Sequence, residues 1–372
     1  MKVTNALKSL AGLAVLACLL PTATRAQYLR TDLTSNQPGV APNTSPHLIN
    51  GWGLVQNGTS PFWISDNGTG LSTLYNGLGV LFPSPTTPLV VEIPPAPPAT
   101  TSTTPGTPTG VVGNISLGTT NEFTVSNTTT GAHAPAIFIF ATLDGLIVGW
   151  NPNVGGTDPS NGESLASIPT PFTIKPGASY TGLAIATDAK SGQTFLYAAD
   201  DSANRQIDMY NGSYQLVQSF GDPEIPQDFA PYGIQAINGQ VWVTYTALNK
   251  AQSGFVDVFN TDGTLASHFA VQGPLHSPWG IALAPADFGP MSNAILISNN
   301  TTRGRINAFD AKGNFLGPLR DASGKAIEID NVWAIQFGHD GGPGGTPHNS
   351  LFFTAGPNAY SNGLFGVITV GN

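Results

Sequence analysis

The sequence predicts an all-β fold, a six-bladed β-propeller whose ring is closed by the N-terminal strand joining the last blade. Three observations predict it. A strand–strand–strand pattern opened by Gly or Ala occurs six times, at intervals of roughly 50 residues. The strands are rich in β-branched and aromatic residues. The sixth copy ends with the chain after three strands, while an unassigned strand-like segment stands at the start.

The first strands are Gly51-Trp52-Gly53-Leu54, Pro108 to Val112, Thr181 to Ala186, Pro231 to Ala236, Pro278 to Leu283 and Val332 to Phe337. Their anchors are Gly53, Gly110, Gly182, Gly233, Gly280 and Ala334. Innermost strands converge on one axis, and small residues fit where backbones crowd. Each anchor is followed by an apolar run: Phe62 to Ser65, Ile137 to Phe140, Phe195 to Ala198, Val241 to Thr244, Ile295 to Ser298 and Leu351 to Thr354. Third strands follow at 72–75, 146–150, 206–210, 255–259, 305–309 and 364–368. Several lead into turn signals such as Asn76-Gly77 and Asp310-Ala311-Lys312-Gly313, residues that accept positive φ. Small antiparallel sheets repeated at this spacing indicate propeller blades. A β-sandwich with chance glycines is the alternative, and six copies in one order argue against it. Tyr28 to Thr34 alternates like an outer strand and is expected to supply the fourth strand of the last blade, removing two open sheet edges.

The composition agrees. Hydrophobic residues make 40% and charged residues 9% of 372, too apolar and too weakly charged for a disordered chain. Gly (44) and Pro (31) point to many turns. The net charge of -9, with no basic run after residue 26, disfavours nucleic acid and anionic lipid as partners. Cys18 is the sole cysteine, so no disulfide framework or thiolate metal site exists.

Residues 1–26 have the pattern of an export signal: Lys2 and Lys8, an apolar core from Leu10 to Leu20, Pro21, and Thr24-Arg25-Ala26 as a cleavage site. The core is too short to cross a bilayer. Cleavage after Ala26 places residues 27–372, one propeller domain, in the periplasm or outside the cell. Val15-Leu16-Ala17-Cys18 is the competing, lipobox-like reading, in which Cys18 carries lipid. No later stretch suits membrane insertion, and a monomer is the expected state. Residues 83–109 form a Pro- and Thr-rich insertion, read as an outer strand at 89–93 and an extended loop.

Phe195 to Asp201 with Asn204 to Tyr210, and Pro278 to Leu283 with Asn299 to Phe309, resemble NHL-type propeller repeats. Asn50 to Leu54, Trp63 to Gly70, Ser277 to Pro285 and Leu319 to Gly324 resemble an uncharacterised family of exported bacterial β-propellers. That resemblance covers nearly all of the chain after residue 26. It implies fold and export, and it implies no settled activity. Some members of that family carry a PEP-CTERM sorting tail. This chain ends in Val370-Gly371-Asn372, so such anchoring is not expected.

In a propeller, the loops before first strands and between second and third strands share one face, which commonly carries function. The repeats place there Asn50, Trp52, Asp66, Asn67, Asp144, Asp200, Tyr232, Trp279, Asn299, Asn331 and Trp333. Aromatic rings edged by Asp and Asn suit a glycan, a small polar ligand or a protein partner. Asp66, Asp200 and Asn299 are the candidate metal ligands, with Ca²⁺ the possible cofactor. Two bland readings stand beside these. The aromatics fill the mouth between blades, and the Asp and Asn side chains cap local backbone. The six histidines show no ligand-like spacing, and His-Glu-x-x-His, Gly-x-Ser-x-Gly and P-loop motifs are absent. The expected function is binding through the axial mouth and its loops. A metal-dependent hydrolase, lactonase or lyase is the alternative, and it rests on fold analogy.

Overall fold

The computed structural model describes residues 27–99, 104–169, 175–249 and 253–371. The expected leader with Cys18, and residues 100–103 of the Pro- and Thr-rich insertion, lie outside the described residues.

Six small antiparallel sheets form the ring. Blade 1 holds Gly51–Val55, Phe62–Asp66, Leu71–Tyr75 and Val90–Glu92. Blade 2 holds Pro108–Gly113, Phe138–Thr142 and Ile147–Trp150. Blade 3 holds Tyr180–Thr187, Thr194–Asp200, Gln206–Tyr210 and Leu216–Phe220. Blade 4 holds Phe229–Ile237, Gln240–Ala247, Gly254–Asn260 and Leu265–Val271. Blade 5 holds Pro278–Leu283, Ile295–Asn299, Ile306–Phe309 and Phe315–Pro318. Blade 6 holds Val332–Phe337, Leu351–Ala355, Leu364–Val370 and, from the other end of the chain, Tyr28–Ser35. That last pairing runs from Tyr28 opposite Val370 to Ser35 opposite Leu364, so the chain closes its own ring as expected. The Tyr28 hydroxyl donates to the Phe288 carbonyl (2.8 Å) and ties the closing strand to blade 5.

The second strands of five blades are buried along their whole length because neighbouring blades cover both faces. This removes the in–out alternation of a half-exposed strand and leaves continuous apolar runs. Aromatic pairs fill the seams: Phe62 meets Phe352 at 4.3 Å between blades 1 and 6, and Trp63 meets Phe138 at 4.1 Å between blades 1 and 2. Outer strands such as Leu216–Phe220 face solvent.

Blade 2 departs from the repeat. A hairpin, Thr124–Ser126 with His133–Pro135, is inserted after its first strand. A single bridge between Gly149 and Ser167 stands where a fourth strand would pair. Ser164–Leu165 instead runs parallel to Val91–Glu92 and widens blade 1. The segment after Trp150 is rich in Gly, Pro, Asn and Ser, which are poor strand formers.

At the hub, each first strand packs against the first strand of the next blade, all the way round. A Cβ on Gly53 would run into the Thr109 carbonyl, and one on Gly233 into the Trp279 carbonyl. The close approach of backbones explains the anchors. The ladder between first and second strands breaks in the same place in blade after blade: between Gly51 and Leu54, Pro231 and Ile234, Pro278 and Ile281, and Val332 and Ile335. Second-strand hydroxyls fill three of the breaks. Thr244 Oγ1 accepts from Gly233 N (2.8 Å), Ser298 Oγ from Gly280 N (2.8 Å) and Thr354 Oγ1 from Ala334 N (3.1 Å). Ser298 and Thr354 also donate to the next blade, to the carbonyls of Trp333 (2.6 Å) and Trp52 (2.7 Å). These hydroxyls therefore satisfy the freed backbone and stitch the blades together.

Candidate functional site

A bulge re-aims the side chains within it. Here it turns Trp52, Tyr232, Trp279 and Trp333 onto the axis, where they meet. Trp52 stacks on Trp333 with centroids 3.9 Å apart, and Trp279 stands edge-on to both, at 6.5 and 5.8 Å. Tyr232 lies 5.7 Å from Trp333. The indole of Trp333 donates to Asn50 Oδ1 (2.9 Å) and that of Trp279 to the Thr181 carbonyl (3.1 Å). Tyr360, from the loop after Ala355, covers Trp333 at 5.6 Å and donates to Asn300 Oδ1 (2.8 Å). Trp333 keeps 1% of its surface, so the rings plug this end of the axis. Blades 2 and 3 place Thr109 and Thr181 there, and Thr109 donates to the Tyr180 carbonyl (2.7 Å).

The polar residues of the same face are held by local partners. Asn50 donates to Asn67 (3.2 Å), and Asn67 to the Pro108 carbonyl (3.2 Å). Asn299 donates to the Pro274 carbonyl (2.7 Å) and Asn331 to that of Gly356 (3.2 Å). Asp144 accepts from Ala96 N (2.6 Å) and from the Thr142 hydroxyl. Asp200 accepts from the amides of Ser179 (3.0 Å) and Ser202 (3.1 Å) and lies 3.6 Å from Lys175 Nζ. Asp66 is fully buried and accepts from Thr73 Oγ1 (2.6 Å), its other oxygen making no hydrogen bond. Burial holds the Asp66 carboxyl well above the usual carboxylate range. Each of these side chains serves its own blade or seam.

Below the plug, the axis opens into a cavity of about 460 Å³, lined by residues of the first strands of all six blades, Trp279 among them. Each first strand is the edge of its sheet, so its unpaired backbone edge faces inward. The wall is thus made of neutral N–H and C=O groups between aliphatic side chains. The mouth lies on the face opposite to the plug, where the first strands end. Gln56, Gln235, Asn238, Gln336 and His339 line it. Gln336 grips the backbone of Gln56 in both directions (3.0 and 3.2 Å), and Gln56 accepts from His339 N (3.0 Å). Asn238 and Gly239, both with positive φ (51° and 73°), form the two-residue hairpin turn that puts the Asn238 amide on the rim. Partial burial lowers the pKa of His339 below its ordinary value. No Asp, Glu, Lys or Arg is among the lining residues.

No family model matches the chain. Uncharacterized protein R648 of Acanthamoeba polyphaga mimivirus is 30% identical over 353 residues, covering 90% of this chain and 78% of the viral protein. The chain belongs to the R648 family. A second mimivirus relative, uncharacterized protein L690, is 27% identical over 349 residues, covering 90% of this chain and 83% of its own length. Among solved structures, a streptogramin B lyase superposes with a TM-score of 0.51 at 12% identity, covering 93% of this chain and 98% of the lyase. That likeness is one of fold. These R648-family relatives are viral, whereas the motifs resembled those of exported bacterial propellers with NHL-type repeats. Of that resemblance, the β-propeller is what the structure of this chain supports.

Sequence reasoning found the aromatics but placed the mouth at their end of the axis. The rim at Gln56, Gln235 and Asn238 went unnoticed. Its signal was present in the Asn-Gly pair at 238–239 and in the glutamines near first-strand ends. A third feature, the grouping of Asp222, Asp257 and His268, was also missed.

Proposed function

We propose that the protein is a binding propeller that takes a neutral, polar small molecule or short glycan into its axial cavity, and that it acts outside the cytoplasm after loss of residues 1–26. The observation carrying this reading is the lining itself. It combines uncharged amides, inward-facing backbone edges and Trp279, with the far end plugged. Sugars match such a surface, pairing hydroxyls with amides and apolar faces with a ring. Its volume falls within the range of ordinary small-molecule sites, about 300–1,000 Å³. A calcium-dependent hydrolase acting in the cavity finds no carboxylate among the described residues that line it, and Ca²⁺ wants six to eight oxygen ligands. The loops of the plugged face remain available to a protein partner.

Residues 27–372, purified and applied to a glycan array, test the reading. Neutral oligosaccharides are expected to bind and uronate- or sialate-bearing ones to be excluded, since the chain is acidic and the cavity has no cation. Binding confined to anionic glycans, or to none, contradicts it.

A further inference from the structure

Blades 3 and 4 both bury an aspartate at the middle of the third strand. In blade 3 it is Asp208, opposite Ser219 of the outer strand; in blade 4 it is Asp257, opposite His268. Asp208 is fully satisfied. Lys175, from the loop entering the blade, reaches both of its oxygens (2.8 and 2.6 Å). Tyr180 (2.9 Å), Gln206 (2.8 Å) and Ser219 (2.7 Å) also donate to it. A buried carboxylate with a cation and several donors is a stable arrangement.

Among the described residues, no lysine pairs with Asp257. The loop entering blade 4 presents a second carboxylate, Asp222, and the two acidic side chains keep only 2% and 1% of their surface. Asp257 Oδ2 and Asp222 Oδ2 make no hydrogen bond, and neither does the buried Tyr245 hydroxyl in the same blade. Two facing carboxylates in a buried place repel each other unless a cation or a proton lies between them. His268 Nδ1 is 3.0 Å from Asp257 Oδ1 and 3.4 Å from Asp222 Oδ2. The three ligand atoms all lie within 4.8 Å of one another. Tetrahedral Zn²⁺, with bonds of about 2.1 Å, separates its ligands by about 3.4 Å, so small side-chain shifts bring the three groups onto one face of such a site. His268 Nε2 points the other way, 3.6 Å from Glu224 Oε2. Metal-bound histidines characteristically pass their second N–H to a carboxylate, and Glu224 lies on that side of the ring, beyond hydrogen-bond distance.

We propose that Asp222, Asp257 and His268 bind a divalent transition-metal ion, Zn²⁺ in preference to Ca²⁺, which clips the loop entering blade 4 to that blade's outer edge. An imidazole with two carboxylate oxygens suits a borderline ion, whereas Ca²⁺ requires more oxygens. His268 is partly exposed, so a water completes the fourth position from the solvent side. This site is separate from the axial cavity and stands independently of any ligand there.

The test is calorimetric titration of untagged, chelator-treated residues 27–372 with Zn²⁺ and with Ca²⁺, joined by the visible spectrum of the Co²⁺ form. One Zn²⁺ per chain is expected, bound at least tenfold more tightly than Ca²⁺, with a tetrahedral Co²⁺ spectrum. His268→Ser, which copies blade 3, should lose at least tenfold in Zn²⁺ affinity and lose that spectrum. His268 is exposed enough for the variant to fold, which its melting temperature verifies. Asp222→Lys should abolish binding and melt above metal-free wild type, because it restores the arrangement around Asp208. His348→Ala, altering the exposed histidine between Asp340 and Asp287, should bind as wild type does. Absence of stoichiometric Zn²⁺, unchanged affinity in His268→Ser, or loss in His348→Ala each overturns the proposal.

Discussion

The two ends of the axis are built from the same six strands, yet one is sealed and the other open. At the sealed end the ladder to the second strand breaks, and the residue freed from it points an aromatic ring inward. At the open end the pairing is regular, as from Ile234 opposite Val243 to Ile237 opposite Gln240, and backbone edges rather than side chains face the axis. A slip of one register position therefore decides whether a propeller axis closes. The hydroxyls of Thr244, Ser298 and Thr354 make the slip tolerable, since without them the amides of residues 233, 280 and 334 would be buried unpaired.

The largest effect on this contrast is expected from Trp333→Ala. It removes the central ring of the plug and orphans Asn50, and should cost about 3–5 kcal/mol in urea unfolding, the usual range for a buried tryptophan. Thr354→Val comes next. It leaves the Ala334 N–H and the Trp52 carbonyl without their partner and should cost about 1–3 kcal/mol. A smaller effect, visible as a pH dependence, is expected at Asp66. Its folded-state pKa is raised, so its contribution is fully present below the unfolded carboxylate range and is lost as pH rises through the folded value. Asp66→Asn should therefore be more stable than wild type at pH 8, with the gain shrinking towards pH 4. The smallest change belongs to the open end. Gln235→Ala, on an exposed lining residue, should stay within about 0.5 kcal/mol of wild type. Equal costs at both ends would break the comparison.

Most of the ring was legible in the sequence because propeller physics writes itself locally. Crowded hub backbones require Gly53 or Gly233, and double-sided burial requires runs such as Ile295 to Ser298. The missing fourth strand of the last blade pointed to Tyr28 to Thr34, and that strand is where the ring closes. Blade 2 was read as a regular repeat, although its third strand is followed by Gly- and Pro-rich chain whose short strand pairs with blade 1 instead. The open end stayed hidden for a different reason. Trp52, Trp279 and Trp333 look alike as a ligand platform and as a plug, and the bulges that decide between them leave no mark in composition. Asp222, Asp257 and His268 come from a loop and two strands, so no spacing rule joins them. What exposes them is the contrast with Asp208, whose Lys175 has no counterpart among the described residues of blade 4.

The central claim is that ligand enters by the amide-rimmed end and not through the aromatic one. Calorimetric titration of the best-bound neutral glycan against Gln235→Trp, which fills the open mouth, and Tyr360→Ala, which uncovers the plug, tests it most directly. The account predicts binding abolished in the first and unchanged in the second. Binding retained by Gln235→Trp and lost in Tyr360→Ala would contradict it.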